Sequence, residues 1–87
     1  MQDKWWKRAR NDLLDIVDAV EVDRPQAARH LLERIGDRVS RLGAFEKLGR
    51  SGRAPQTREL PITGSPYAAI YRVFSGHVAI VRLLHGR

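Results

Sequence analysis

Eighty-seven residues, 43% of them hydrophobic and 30% charged, suffice for one globular domain with a thin core and leave no material for a second. The chain has no cysteine, which excludes a disulfide-stapled scaffold and cysteine-ligated zinc and makes a reducing, cytoplasmic location the expectation. The net charge of +6 is unevenly placed: residues 1–37 hold seven Lys/Arg against eight Asp/Glu and residues 38–87 hold nine against two, so the second half suits nucleic acid, a nucleoprotein machine or an acidic protein. Met1-Gln2-Asp3-Lys4 runs into Trp5-Trp6 and charges, so no signal peptide is expected. No run nears the roughly 20 apolar residues of a membrane span, so no membrane partner is expected either.

In chain order, a short strand is expected within 1–6, because the tryptophan pair precedes the first helix without joining its stripe. Over 8–22 the apolar residues Ala9, Leu13, Ile16, Val17 and Val20 recur in steps of three and four, which draws one stripe along a helix. Asp12, Asp15 and Asp18 lie mostly off that stripe and read as a solvated face. Carboxylates three apart drift around a helix instead of converging on a metal, and no metal site is expected. Asp23 is expected to cap a second helix, with Pro25 in its first turn. That helix spans 25–42 on Ala28, Leu31, Leu32, Ile35, Val39 and Leu42, and Gly43 reads as a left-handed stop. So short a link makes the two helices an antiparallel hairpin. His30 reads as a boundary residue, and Gly36 as a place for close approach to the first helix.

After a last apolar turn at Phe45 and Leu48, "GRSGRAPQ" at 49–56 reads as a loop. Its amides near Gly49 and Gly52, with Arg50 and Arg53, have some features of a phosphate cradle. The Gly-Lys-Ser/Thr ending of a nucleotide loop is missing, and a tight connection from helix to sheet is the better reading. A strand is expected over 57–62, with Pro61 suited to an edge or bulge, followed by a turn at Thr63-Gly64-Ser65-Pro66. Strong strands follow at 67–74 and 77–84 around Ser75-Gly76.

Pairing these two strands about the turn puts Tyr67, Ala69, Tyr71 and Val73 on one face with Val78, Ile80, Arg82 and Leu84. The opposite face then carries Ala68, Ile70, Arg72, Phe74, Ala79, Val81, Leu83 and His85. Both faces are largely apolar, and two helices cover one. The other is expected to stay open as a partner site with basic edges. A single bulge near Arg82 would exchange the faces, so which one the helices cover stays open.

The ordered set "DLLDIVDAVEVDRPQAARHLLERI", "GRSGR", "TREL", "PYAAIYRV" and "VAIVRLLHGR" resembles the RelE/ParE toxins of type II toxin–antitoxin modules, over almost the whole chain from Trp6 to Arg87. The resemblance implies one α+β toxin domain over 1–87, a helical hairpin packed on one face of a small twisted antiparallel sheet of three to four strands. It also implies a cognate antitoxin that wraps the toxin and silences it.

The family divides by target: RelE-type members cut mRNA on the ribosome, and ParE-type members poison DNA gyrase. Where RelE-type toxins carry an arginine, this chain has Ala68, and no tyrosine follows Arg87. The Leu-His-Gly ending and the Thr-Arg-Glu-Leu strand resemble ParE-type sequences. The expected function is therefore gyrase inhibition through protein contacts, with no catalytic residue, cofactor or small-molecule substrate. Target or antitoxin binding is expected at Arg50, Arg53, Arg58, Tyr71, Arg72, Arg82, His85 and Arg87. The alternative is a ribosome-dependent mRNA endoribonuclease acting with the 70S ribosome. In it His85 would serve as general acid or base, with Arg87, Arg72 and Arg58 as phosphate clamps.

Overall fold

The computed structural model of the protein describes residues 2–86, the side chains of Gln2 and Asp3 excepted. The three-and-four spacing of apolar residues yields two helices, α1 (Lys7–Glu21) and α2 (Pro25–Ser40). Pro25 opens α2 at its first position, and Arg24, without a side-chain cap, is the boundary residue. Asp23 is therefore not the expected cap. Pro25 already presets φ and presents no N–H to satisfy. Gly43 is not a left-handed stop either: the helix tightens into a 3-10 turn, Arg41–Gly43, which carries Leu42 into the core at 0% exposure. Nothing lies within 4 Å of where a Cβ on Gly36 would stand, so that glycine does not serve close packing with α1.

The strands are β1 (Gln2–Trp5), β2 (Arg50–Ser51), β3 (Arg58–Pro61), β4 (Tyr67–Phe74) and β5 (His77–His85), in one sheet of order β1-β5-β4-β3-β2. This corrects the expectation of three to four antiparallel strands: the described residues form five, and β1 runs parallel to β5, pairing Gln2 with His77 and Trp5 with Ile80. Parallel pairing needs a long connection, and the helical hairpin and the rest of the sheet supply it. The fifth strand is β2, drawn from the Gly-Arg loop onto the edge of β3 through Arg50 opposite Glu59 and Ser51 opposite Arg58. Pro61 lies beyond the reach of β2 and pairs only with Ala68, so its missing N–H breaks no ladder. Gly76, at φ 85°, makes the β4–β5 turn where the Ser-Gly pair predicts it.

A bulge decides the sheet's two faces. Tyr71 pairs with Ile80, but the preceding Ile70 pairs with Arg82, leaving Val81 as the extra residue in β5. The bulge places Leu83 instead of Leu84 beside Ala69 and Tyr67. The helices cover this face: Leu31, Ile35 and Val39 of α2, with Leu42, pack on Ala69, Tyr71, Val78, Ile80 and Leu83. Each such large apolar side chain contributes about 1.5–3 kcal/mol on full burial. From α1 only Ala9 is fully buried, and Leu13, Ile16 and Val20 are half-covered.

The second face is less open than its composition suggests. Ala68 and Ala79 are 0% exposed and Ile70 is 4% exposed. Small side chains lie low between larger neighbours there, and Arg53 crosses β4 above them from β3 to β5. Toward its rim Arg72, Phe74, His77 and Leu84 remain partly exposed.

Candidate protein-interaction surface

Leu60 points into the core, so its neighbour Glu59 points to the second face, where it is 4% exposed. A buried carboxylate needs partners, and the Gly-Arg loop supplies them. The Arg53 backbone N–H donates to Glu59 Oε2 at 2.7 Å, Arg53 Nε to the same oxygen at 2.9 Å, and Nη2 to Oε1 at 3.1 Å. Arg50 Nη2 stands 3.9 Å from Oε1. The hydrogen bonds from the Arg53 side chain hold the Glu59 carboxyl below its usual range against the opposing cost of burial. The Arg53 amide and the charges of Arg53 and Arg50 act the same way.

Arg53 does more than neutralise Glu59. Its Nη2 also donates to the backbone carbonyl of His85 at 2.9 Å, two strands away. Strands lie about 4.8 Å apart, so the side chain bridges roughly 10 Å of sheet. At this end Gly86 N–H donates to Pro66 C=O at 2.8 Å, and the His85 ring tilts against Tyr67 with centroids 5.0 Å apart. Arg50, Pro61, Pro66, Tyr67, His85 and Gly86 line a shallow cleft here, with His85 and Arg50 exposed.

A second basic cluster occupies the hairpin end of the sheet. The Arg72 guanidinium carbon lies 4.9 Å from the centre of the Phe74 ring, and His77 stacks on Phe74 at 4.9 Å and 15°. Arg72 Nη2 donates to Gln56 Oε1 at 3.0 Å. Arg58 Nη1 donates to the Gly49 carbonyl at 2.6 Å and so pins the start of the loop.

Tyr71, expected on the binding surface, is a core residue at 0% exposure. Its hydroxyl donates to Glu46 C=O at 2.7 Å and accepts from Gly49 N–H at 2.8 Å. The helix-facing side of β4 leaves it no route to a partner. Arg82, also expected to meet a partner, is turned by the bulge onto α1. Its Nε donates to Asp12 Oδ2 at 2.7 Å and Nη2 to Oδ1 at 3.1 Å. Asp12 is thus not part of a solvated helix face. Arg87 lies outside the described residues. His30 is exposed on α2.

The remaining site residues divide between the two ends. His85 pairs with Tyr67, whereas Arg72 lies five residues further along β4 and Arg58 pairs with Tyr71. At about 3.3 Å per residue, His85 and Arg72 are roughly 16 Å apart along the sheet. A base and a phosphate clamp serving one scissile bond must come within hydrogen-bond reach of the same group. These residues do not converge. Sequence reasoning missed Glu59 and Asp12, whose only signals were a scarcity of acids in the basic half and a position at the margin of a helical stripe.

Residues 4–87 match the family described as the ParE toxin of the type II toxin-antitoxin system parDE. The chain belongs to the ParE toxin family. It is 38% identical over 82 residues to Y4kP of Sinorhizobium fredii (strain NBRC 101917 / NGR234), a protein named as a candidate toxin, covering 94% of this chain and 84% of that one. It is also similar to a solved chain of the chromosomal ParDE TA system from P. aeruginosa, with a TM-score of 0.89 and 29% identity over 100% of this chain and 97% of that one. As a ParE-family toxin of a type II module, the chain has an antitoxin as its partner. Among its described residues no helix is long and apolar enough to cross a membrane. Within this ParE fold Arg50 and His85 are exposed at one end of β4 and β5, and Arg72 is partly exposed at the other.

Proposed function

We propose that this ParE-family chain inhibits DNA gyrase through protein–protein contacts made by the basic cleft of Arg50, Tyr67 and His85 and the segment that follows it, and that a cognate antitoxin neutralises it. The observation that carries this reading is the dispersal of the cations. Arg53 is engaged by Glu59 and the His85 carbonyl, Arg82 by Asp12, and Arg72 lies at the far end of the sheet from His85. A guanidinium and an imidazole beside a cleft with Tyr and Pro walls are suited to anchoring a protein surface. Cleaving RNA requires them gathered on one phosphate. Ala68, where the ribosome-dependent branch carries an arginine, is buried against Gly86, whose would-be Cβ stands 3.8 Å from the Ala68 methyl.

Gyrase supercoiling and a purified translation system test this together. The chain is expected to block supercoiling and accumulate cleaved DNA while protein synthesis continues. Codon-positioned cuts in translated mRNA, with gyrase unaffected, would overturn it.

A further inference from the structure

Resting on that reading, we infer that Arg53 is the positioning residue of the target-binding end: it couples the buried carboxylate of Glu59 to the carbonyl of His85 and so sets the direction in which the backbone leaves β5.

Three observations support this. The Glu59 end of the tether is rigid, since β3 is hydrogen-bonded on both sides there and the carboxylate receives three hydrogen bonds from one residue. The guanidinium fork is the only common side chain that can grip a carboxylate through two nitrogens and still present a further N–H to a carbonyl beyond it. The His85 end is thinly held. Past Ile80 the partner strand β1 has ended, so His85 and Gly86 are held from the β4 side, by the pairing of His85 with Tyr67, the Gly86–Pro66 hydrogen bond and the tilted Tyr67 ring. Losing the bridge from Arg53 therefore frees the end of β5 without removing any core residue. The loop at 49–56, which reads as a simple connection, thereby acts at a distance on the cleft.

Arg53→Lys separates the two roles. A lysine keeps a charge beside Glu59 but cannot also span to His85 from the same position. In hydrogen-exchange measurements on the purified full chain, Arg53→Lys is expected to leave the core of β3 and β4 protected while the Gly86 amide exchanges about tenfold faster. Its concentration for half-inhibition of supercoiling is expected to rise about tenfold or more, because the released segment must be ordered on binding. Glu59→Gln, which removes the charge that anchors Arg53 but also the 3.9 Å partner of Arg50 in the cleft, is expected to reproduce the faster Gly86 exchange. Unchanged Gly86 exchange in both variants would overturn the tether. Faster exchange with undiminished inhibition would overturn the positioning role. If the unaltered chain fails to inhibit gyrase, the functional reading fails on its own, and the exchange result still decides whether the tether exists.

Discussion

Asp12 on α1 and Arg82 on β5, 70 positions apart, meet through two hydrogen bonds of 2.7 and 3.1 Å, and the same carboxylate accepts the Leu83 N–H at 2.9 Å. The carboxylate thus serves the edge of β5 just where β1 has stopped, and it locks the bulge that turns Leu83 into the core. It joins helix, bulge and sheet edge at one point.

Asp12→Asn keeps the shape but loses the charge, and for a pair of this partial exposure it should cost about 1–3 kcal/mol of stability. The hydrogen bonds from Arg82 hold the Asp12 carboxyl below its usual range. A carboxyl lowered in the folded state contributes fully above its unfolded value, near about pH 4, and loses that contribution as pH falls through the folded value. Glu59 acts in the same direction. Denaturant titrations should therefore show the unaltered chain losing stability on acidification below about pH 4, with Asp12→Asn losing measurably less.

The Tyr71 hydroxyl and Gly49 form a second lock. Tyr71→Phe leaves the buried Gly49 N–H unpaired and should cost about 1–3 kcal/mol. A Cβ at Gly49 would stand 2.7 Å from both the Glu59 carbonyl oxygen and the Tyr71 ring. Gly49→Ala should therefore destabilise by at least about 1–3 kcal/mol, since backbone stands on one side of it. Thermal unfolding of the two variants checks both, and unchanged melting temperatures would contradict the packing described.

Antitoxin binding should stabilise this chain strongly. Much of α1 is only half-covered, and Leu14 is 59% and Leu32 46% exposed. At antitoxin concentrations of about a hundred times Kd, linkage supplies about 2.7 kcal/mol, or roughly 10 °C or more in a domain this size. A melting scan with and without antitoxin measures it directly.

His85 and Arg72 offer a test of interface against catalysis. As contacts roughly 16 Å apart, His85→Ala and Arg72→Ala should weaken target inhibition independently, with a coupling in the double variant within about 0.5 kcal/mol. Residues of one catalytic centre behave otherwise: either loss alone costs nearly as much as both. Strong non-additivity in a double-mutant cycle, read on RNA cleavage, would favour the ribosome-dependent alternative.

The elements with strong periodicity were legible from the chain itself. The hairpin helices follow from steps of three and four, and β4 and β5 from β-branched and aromatic runs around Ser75-Gly76. The ordered motifs also carried the family. Less of the surface was legible. Tyr71 and Arg72 are adjacent in β4, yet one is core and the other rim, because the pleat alternates and only packing says which face the helices take. Asp12 reads as a solvated acid and Glu59 carries no signal of its own, because their arginine partners arrive from other elements. The short strand β2 was hidden by glycines on both sides, and it forms because β3 offers it an unpaired edge.

By itself, the sequence determined that one small α+β domain would form, with a helical hairpin against a sheet and an excess of positive charge in its second half. These follow from local periodicity and composition, which each segment carries within itself. The tertiary structure alone decided the parallel β1, the bulge at Val81, the covered face, and which arginines are held by the chain's own carboxylates. Those outcomes depend on register and on contacts between distant residues, where a shift of one position moves a side chain from core to solvent.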